Sequence, residues 1–303
     1  SISKSSGIRP TFSTSDGKSF TIDGQNHIAD LAGYNMQFST STNSSTNVYI
    51  QNFQTLYGTN YYGPFSLTYG GSIYFKNLNY EGAQILSAKG NYVYVDGNVN
   101  VFQRDDVYDS PFLKGQNTDG NGNQNNLSIA NMVLNKGAHY FGSTGSNNGM
   151  TVVYISNGGN LTLGEDSSMT LVPRGFDNGT DDGSDDGPAG VDIQQGSLTV
   201  NKNANLNIIP DISNRNNTNG SAGGVYVGSG NVAVNGGRIN IEANRPGRLY
   251  GQYNTLLYTK GNVLATNGGT IQIIVAQLNK YFAANTAGGL VYIGSNGKVQ
   301  VAD

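Results

Sequence analysis

Carboxylates and tyrosines are the residues whose density and spacing in this sequence bear on chemistry. Asp177, Asp181, Asp182, Asp185 and Asp186 fall within ten residues, and Asp105, Asp106 and Asp109 form a second acidic cluster interleaved with aromatics. Like charges this close raise one another's pKa above the reference of about 3.9 and titrate as a set. Inserts carrying them lose charge and self-repulsion as pH falls toward about 4, which makes these eight aspartates candidate pH-switch loops. Paired carboxylates are also what glycoside hydrolysis requires, with Asp192 a further candidate. Clustered oxygens are what calcium takes. The stretch Asn117 to Gly122 places oxygen-bearing side chains at positions one, three and five of a calcium loop and glycine at six. Position one is Asn rather than Asp, however, and position twelve is Ser128 rather than Glu. No metal ligand is assigned and no cofactor is expected, with calcium kept only as an option for the acidic runs.

Tyrosine supplies the second kind of chemistry. The chain has 19 Tyr and no Trp, and such flat rings with a hydroxyl tip stack on sugars and hydrogen-bond to them. Tyr154, Tyr226, Tyr258 and Tyr292 recur in equivalent short apolar triplets and are candidate ligand contacts, the alternative being a ladder that only stabilises a sheet. Arg238, Arg245 and Arg248, with Tyr250 and Tyr253, make a basic-aromatic segment suited to an acidic glycan, or else an ordinary solvated turn. Other chemistries are excluded. There is no cysteine, and His27 and His139 stand far apart, so thiolate and histidine-rich metal sites are absent. A net charge of -3 without a Lys/Arg run argues against nucleic acid. No run of about 18 apolar residues occurs, so no helical membrane insertion is expected.

The elements that position these residues follow from a repeat. Triplets centred on Tyr154, Asp192, Tyr226, Tyr258 and Tyr292 are spaced by 38, 34, 32 and 34 residues. A second alternating strand follows each, as in Leu161-Thr162-Leu163 or Leu198-Thr199-Val200. A third follows in four coils, offset from the second by 8, 8, 7 and 8 residues. Two apolar residues flanking an outward one mark a strand with one dry face. Because equivalent strands return only after a whole coil, each lies parallel on its copy about 4.8 Å away. Glycine and asparagine at the corners accept positive φ, and asparagine can hydrogen-bond to itself from coil to coil. A helical reading fails for want of any 3.6-period window free of Gly and Asn, and an antiparallel sandwich is the rival. The expected fold is all-β, a parallel β-helix with three strands per coil, in which Val153, Val191, Val225, Leu257 and Val291 form one inward column.

Earlier in the chain the same grammar is irregular. Ser72-Ile73-Tyr74-Phe75 and Tyr92-Val93-Tyr94-Val95 read as strands, yet Tyr74 and Tyr94 are only 20 residues apart. Residues 1–20 read as a Ser/Thr-rich opening segment or linker, and residues 21–303 as a single β-solenoid with inserts near 102–126 and 174–190. The chain stops at Val301-Ala302-Asp303 in mid-coil, as a part of a longer protein would.

The β-helix grammar of residues 70–301, the Asn/Gly/Thr-rich composition and the Ser/Thr-rich start resemble the binding region of serine-rich repeat adhesins of gut lactobacilli. That resemblance, with the usual hand of parallel crossovers, implies a right-handed solenoid. It further implies a non-catalytic module that binds host mucin or epithelial glycans, or acidic polysaccharide, in a pH-dependent manner. Its place would be the bacterial cell surface, with wall anchoring through a downstream segment. The calcium-coordinating carboxylates of lyase-like relatives have no residue-by-residue match in this chain. A polysaccharide lyase or glycoside hydrolase acting on a uronate-containing polymer is the alternative, with Arg174, Arg215, Arg238 and Arg245 as possible bases.

Overall fold

Apolar triplets bounded by glycine or asparagine are too short and too interrupted for helices, and their dry face is best buried against copies of itself. The computed structural model describes residues 11–14, 19–31, 36–40, 46–58, 65–67, 71–82, 85–88, 92–103, 127–129, 131–144, 151–155, 158–176, 189–213, 223–243, 255–275 and 290–302. Every strand pair among them is parallel. The described strands form sheets of ten, fifteen and two, with no helix. The chain is an all-β parallel β-helix. In the ten-stranded sheet Val153, Val191, Val225, Leu257 and Val291 pair in direct register, as the triplet spacing requires. The first four are buried; Val291 is 45 % exposed because its strand has a neighbour on one side only.

The fifteen-stranded sheet supplies the other two walls as two arms. In later coils the arms are separate strands, such as Leu161–Leu163 and Ser168–Val172, or Val232–Asn235 and Arg238–Ala243. In early coils they fuse into single bent strands: Phe20–Asp30, Thr46–Tyr57, Gly71–Gly82 and Tyr92–Gln103. Tyr92–Gln103 is where the wall forks, since it pairs with both Asn131–Leu134 and His139–Ser143. At the bend each coil carries a left-handed residue: Gln25 with Asn26, then Asn52, Asn77, Gly97, Gly137, Asp166, Asn203, Gly236 and Asn267, so that Gln25 alone departs from the Asn, Asp and Gly pattern. Only Asn, Asp and Gly take that conformation at low cost, which explains their recurrence there. Gly97 answers two demands, because a Cβ on it would collide with the Asn77 Oδ1 that accepts the Asn98 backbone N–H at 3.1 Å.

At the bend two residues, Asp96 and Gly97, stand where Asn135 to Ala138 stand in the next coil. The larger part of the irregular spacing comes from the connection into the ten-stranded sheet, three residues between Gly82 and Leu86 against 23 between Gln103 and Leu127. Two early tyrosine triplets lie elsewhere than the later ones. Ile73-Tyr74-Phe75 and Val93-Tyr94-Val95 lie in the fifteen-stranded sheet, in a different wall from Tyr154. Phe102 and Gln103 close a strand, and Arg174–Phe176 pairs with Asp211–Ser213, so both stretches read as inserts begin in strand. Strand pairing reaches back to Thr11–Thr14, which lies on Met36–Thr40.

Interior columns are ladders of similar side chains, for example Met132, Leu161, Leu198, Val232 and Val263, or Met169, Leu206, Ile239 and Ile271. At the corner before the second strand, amides run the length of the axis. Asn131 Oδ1 accepts the Asn160 N–H at 3.0 Å, and Asn160 Oδ1 the Ser197 N–H at 2.8 Å. Ser197 Oγ accepts from Asn231, Asn231 Oδ1 from Asn262, and Asn262 Oδ1 from the Lys298 N–H. Turn N–H groups that stacking would otherwise bury without partners are thereby satisfied.

Two predictions follow from this interior and its corners. The Tyr140 hydroxyl is buried in the core with no hydrogen-bond partner, and burial pushes its pKa up. Since an unsatisfied buried hydroxyl costs about 1–3 kcal/mol, Tyr140→Phe should raise stability by about 1 kcal/mol in chemical denaturation; a loss of stability would show that the hydroxyl has a partner. The second concerns acid. Asp23 is held below its usual pKa first by the Gln25 backbone N–H and then by the Gln51 and Asn52 side chains. Asp166 is held low first by the Asn203 amide and then by Lys136. Carboxylates with depressed folded pKa contribute stability above the unfolded value of about 3.9 and lose it as pH falls through the folded values. Both are exposed, so the effect is modest. The double variant Asp23→Asn, Asp166→Asn should show a shallower fall in denaturation midpoint than the wild type below about pH 4; identical profiles would remove these two groups from the acid response.

Candidate functional site

In Val153–Ile155, Val191–Ile193, Val225–Val227 and Leu257–Thr259 of the ten-stranded sheet the two flanking residues face the core and the middle one takes the outer side. Register links the middle positions into one row: Tyr154, Asp192, Tyr226, Tyr258 and Tyr292. The same register position runs back through Ser128, Ser87, Ser66 and Gln37. Sequence equivalence therefore became spatial alignment. The three longest segments outside the strands, residues 104–126, 276–290 and 177–190, lead into strands of this sheet, Leu127–Ile129, Val291–Ile293 and Val191–Ile193.

Of the two readings of the tyrosine pattern, open ligand contacts or a stacked ladder, the rings of this row form the ladder. Tyr226 and Tyr258 stack with centroids 4.6 Å apart and planes 7° from parallel, and Tyr258 and Tyr292 do so at 4.9 Å and 6°. Rings repeating at the strand spacing must stack, and each pair adds about 0.5–1.5 kcal/mol beyond area burial. Tyr154 and Tyr258 are only 2 % and 1 % exposed, whereas Tyr226 and Tyr292 are half-buried. Between Tyr154 and Tyr226 stands Asp192, 5 % exposed rather than solvent-facing. A carboxylate this buried needs donors, and the Gln194 Nε2 donates to both its oxygens at 2.8 and 3.0 Å. What the row carries is a line of phenolic oxygens, donors as well as acceptors, broken once by an acceptor-only carboxylate.

The other predicted residues are dispersed. Arg238 is exposed on the fifteen-stranded sheet, between Asn205 and Thr270 in register, and its guanidinium donates to Gln272 Oε1. It belongs to a different sheet from the tyrosine row. Arg174 is exposed on the two-stranded sheet opposite Asp211 in register, and its backbone N–H donates to Thr144 Oγ1 at 2.7 Å. Arg245, Arg248, Tyr250 and Tyr253 lie outside the described residues, as do Arg215 and the pH-switch candidates Asp105, Asp106, Asp109, Asp177, Asp181, Asp182, Asp185 and Asp186. Among the described residues no group of three or more His, Asp or Glu side chains comes together as a metal site.

Two arrangements went unread in the sequence. His139 Nδ1 lies 2.7 Å from Ser168 Oγ, a base–nucleophile distance. His139 is exposed on a sheet face and Ser168 is its register partner in the next coil, so coil stacking accounts for the contact. A second tyrosine row, Tyr49, Tyr74 and Tyr94, lies on the fifteen-stranded sheet. Its signal was present: Val48-Tyr49-Ile50 repeats the apolar-Tyr-apolar triplet of the later coils.

Residues 3–87 match the family described as pectate lyase-like adhesive domain, a family named for adhesion rather than catalysis. Neither a curated protein nor a solved structure matches the chain. Over its first coils the chain is similar to a pectate lyase-like adhesive domain, and its later coils carry the tyrosine–aspartate row.

Proposed function

We propose that this protein is a non-catalytic adhesive module of a bacterial cell surface, and that it binds host mucin or epithelial glycans along the outer side of the ten-stranded sheet. The observation that carries this reading is the register-aligned row Tyr154, Asp192, Tyr226, Tyr258 and Tyr292. Phenols donate and accept, and Asp192 accepts only, so the row suits a ligand dense in hydroxyls. Tyr226 and Tyr292 are the members of the row that keep exposed surface, so a saccharide running along the axis reaches their hydroxyls. The similarity of the first coils to an adhesive domain supports binding over turnover. Acidic polysaccharide is the less favoured ligand, because the described arginine of the candidate set, Arg238, sits on another sheet. Asp192 is not placed as an exposed base, since Gln194 already engages both its oxygens.

The test is binding to immobilised mucin glycans and to polygalacturonate, with and without EDTA, for the wild type, Asp192→Asn and Tyr292→Ala. Tyr292→Ala should weaken mucin-glycan binding about tenfold, the size of one lost directional contact, with the circular dichroism spectrum unchanged, whereas Asp192→Asn, whose buried oxygens already accept from Gln194, should change it little. Unchanged binding in Tyr292→Ala would remove the row from the site. Incubation with calcium and either polymer should release neither reducing ends nor the ultraviolet absorbance of an unsaturated uronate. Product lost in Asp192→Asn would establish the lyase or hydrolase alternative.

A further inference from the structure

The second tyrosine row lies on the outer side of the first arm of the fifteen-stranded sheet, in the coils of Thr46–Tyr57, Gly71–Gly82 and Tyr92–Gln103. Register lays out three parallel columns. The central one is Tyr49, Tyr74, Tyr94 and Val133; one flank is Asn47, Ser72, Tyr92 and Asn131; the other is Gln51, Lys76 and Asp96. Columns two residues apart are separated by about 7 Å and coils by about 4.8 Å, so the patch measures roughly 13 by 14 Å. That is the footprint of two or three sugar rings. Tyr49 and Tyr74 stack at 4.6 Å, and Tyr74 and Tyr94 at 4.7 Å.

Tyr92 differs from the other three rings. It lies 5.8 Å from Tyr94 within the same strand, and its axial neighbours are Ser72 and Asn131 rather than aromatics. It is 46 % exposed, so its ring offers stacking surface that the central column has already used on itself. Polar groups border it on both sides. Lys76 is exposed, and Asp96 in register with it accepts from Asn135 Nδ2 at 2.7 Å. Asp23 continues this column in register with Gln51, so the flank holds one positive and two negative residues and no excess of cations. The segments leading into these strands, residues 41–45, 68–70 and 89–91, are short, whereas the long ones lead into the other sheet.

We propose that this face is a second binding site, which takes a neutral oligosaccharide of two or three hexose units stacked by its C–H face on Tyr92. Amphipathic aromatic surface beside amide, hydroxyl and ammonium donors is the chemistry that holds a sugar. With Asp23 and Asp96 outnumbering Lys76 along the flank, the face repels a uronate and selects a neutral sugar. The Tyr74 phenol, its pKa raised first by burial and then by Tyr49, Tyr94 and Asp96, stays a donor toward the ligand at neutral pH. The site stands independently of the proposed ten-stranded-sheet function, because it lies on a different wall with different residues.

The experiment is a titration of ring-labelled tyrosine protein with neutral β-linked glucose and galactose trisaccharides and, separately, with trigalacturonate, followed by NMR. The Tyr92 resonance is assigned from its loss in Tyr92→Phe. Neutral trisaccharides should shift Tyr92 and its neighbours Tyr94 and Tyr74, and Tyr92→Ala should weaken that binding about tenfold, as for a lost stacking contact. Tyr92→Phe, which keeps the ring, should bind within about threefold, below half of a tenfold change in free energy. Shifts confined to Tyr226 and Tyr292 would place all saccharide binding on the ten-stranded sheet and overturn the proposal while leaving the first function intact. No shift at Tyr92 with any neutral sugar, tighter binding of trigalacturonate, or a concentration-dependent dimer abolished by Tyr92→Ala would each overturn it as well.

Discussion

Parallel stacking at about 4.8 Å imposes one condition on nearly every residue of this chain: a side chain must tolerate whatever stands directly above and below it. Apolar columns meet it by interdigitating, amides by hydrogen-bonding along the axis, and tyrosines by stacking. Charges meet it poorly, because like charges in register repel at close range. Only 12% of the residues are charged. Where described charges do fall in register they alternate, Lys76 opposite Asp96 and Arg174 opposite Asp211. At the turn, Lys136 meets Glu165 at 3.2 Å and Asp166 at 3.6 Å. Composition and fold are therefore two expressions of the same spacing.

That condition also decides what could be read from the sequence. The later coils were legible because the second and third strands keep an offset of 7 or 8 residues and the apolar triplets return after 32 to 38, so Val153, Val191, Val225, Leu257 and Val291 aligned on the triplet pattern. Corner asparagines were legible for the same reason, and Asn131, Asn160, Asn231 and Asn262 do bond along the axis. The early coils resisted because their strands bend at Asn52, Asn77 or Gly97 where a turn was expected, and because the connections between sheets change length, from three residues after Gly82 to 23 after Gln103. An apolar-Tyr-apolar triplet says that a strand has one dry face, but not which wall it belongs to. Tyr74 and Tyr154 share the motif and lie in different sheets.

Exposure was the least legible property of the candidate site. Alternation correctly put the tyrosines on the outer side, yet outer does not mean open. Rings that repeat at the strand spacing cover one another's faces, and Tyr258, between two such rings, keeps almost no exposed surface. Asp192 looked like a solvent-facing departure from the tyrosine pattern. Its burial depends on Gln194, whose amide reaches both carboxylate oxygens, and period-2 reasoning has no term for that contact.

The distinction between binding and catalysis follows from the same geometry. Catalysis needs a few unlike groups converging on one point, with pKa values set apart from one another. A solenoid in strict register tends to supply the reverse, similar groups repeated along a line. Such a line gains little from any single coil but accumulates contacts with an extended ligand, as linked sites gain avidity through effective concentration. A chemically distinct centre can arise only where a column is broken. In the described part of the ten-stranded sheet's tyrosine row the break is Asp192, and there the carboxylate is already committed to a neighbouring amide. A row of repeated polar groups with its one unlike member satisfied internally offers a line of similar contacts rather than a convergent set of unlike ones, and that geometry is the ground of the proposed binding role.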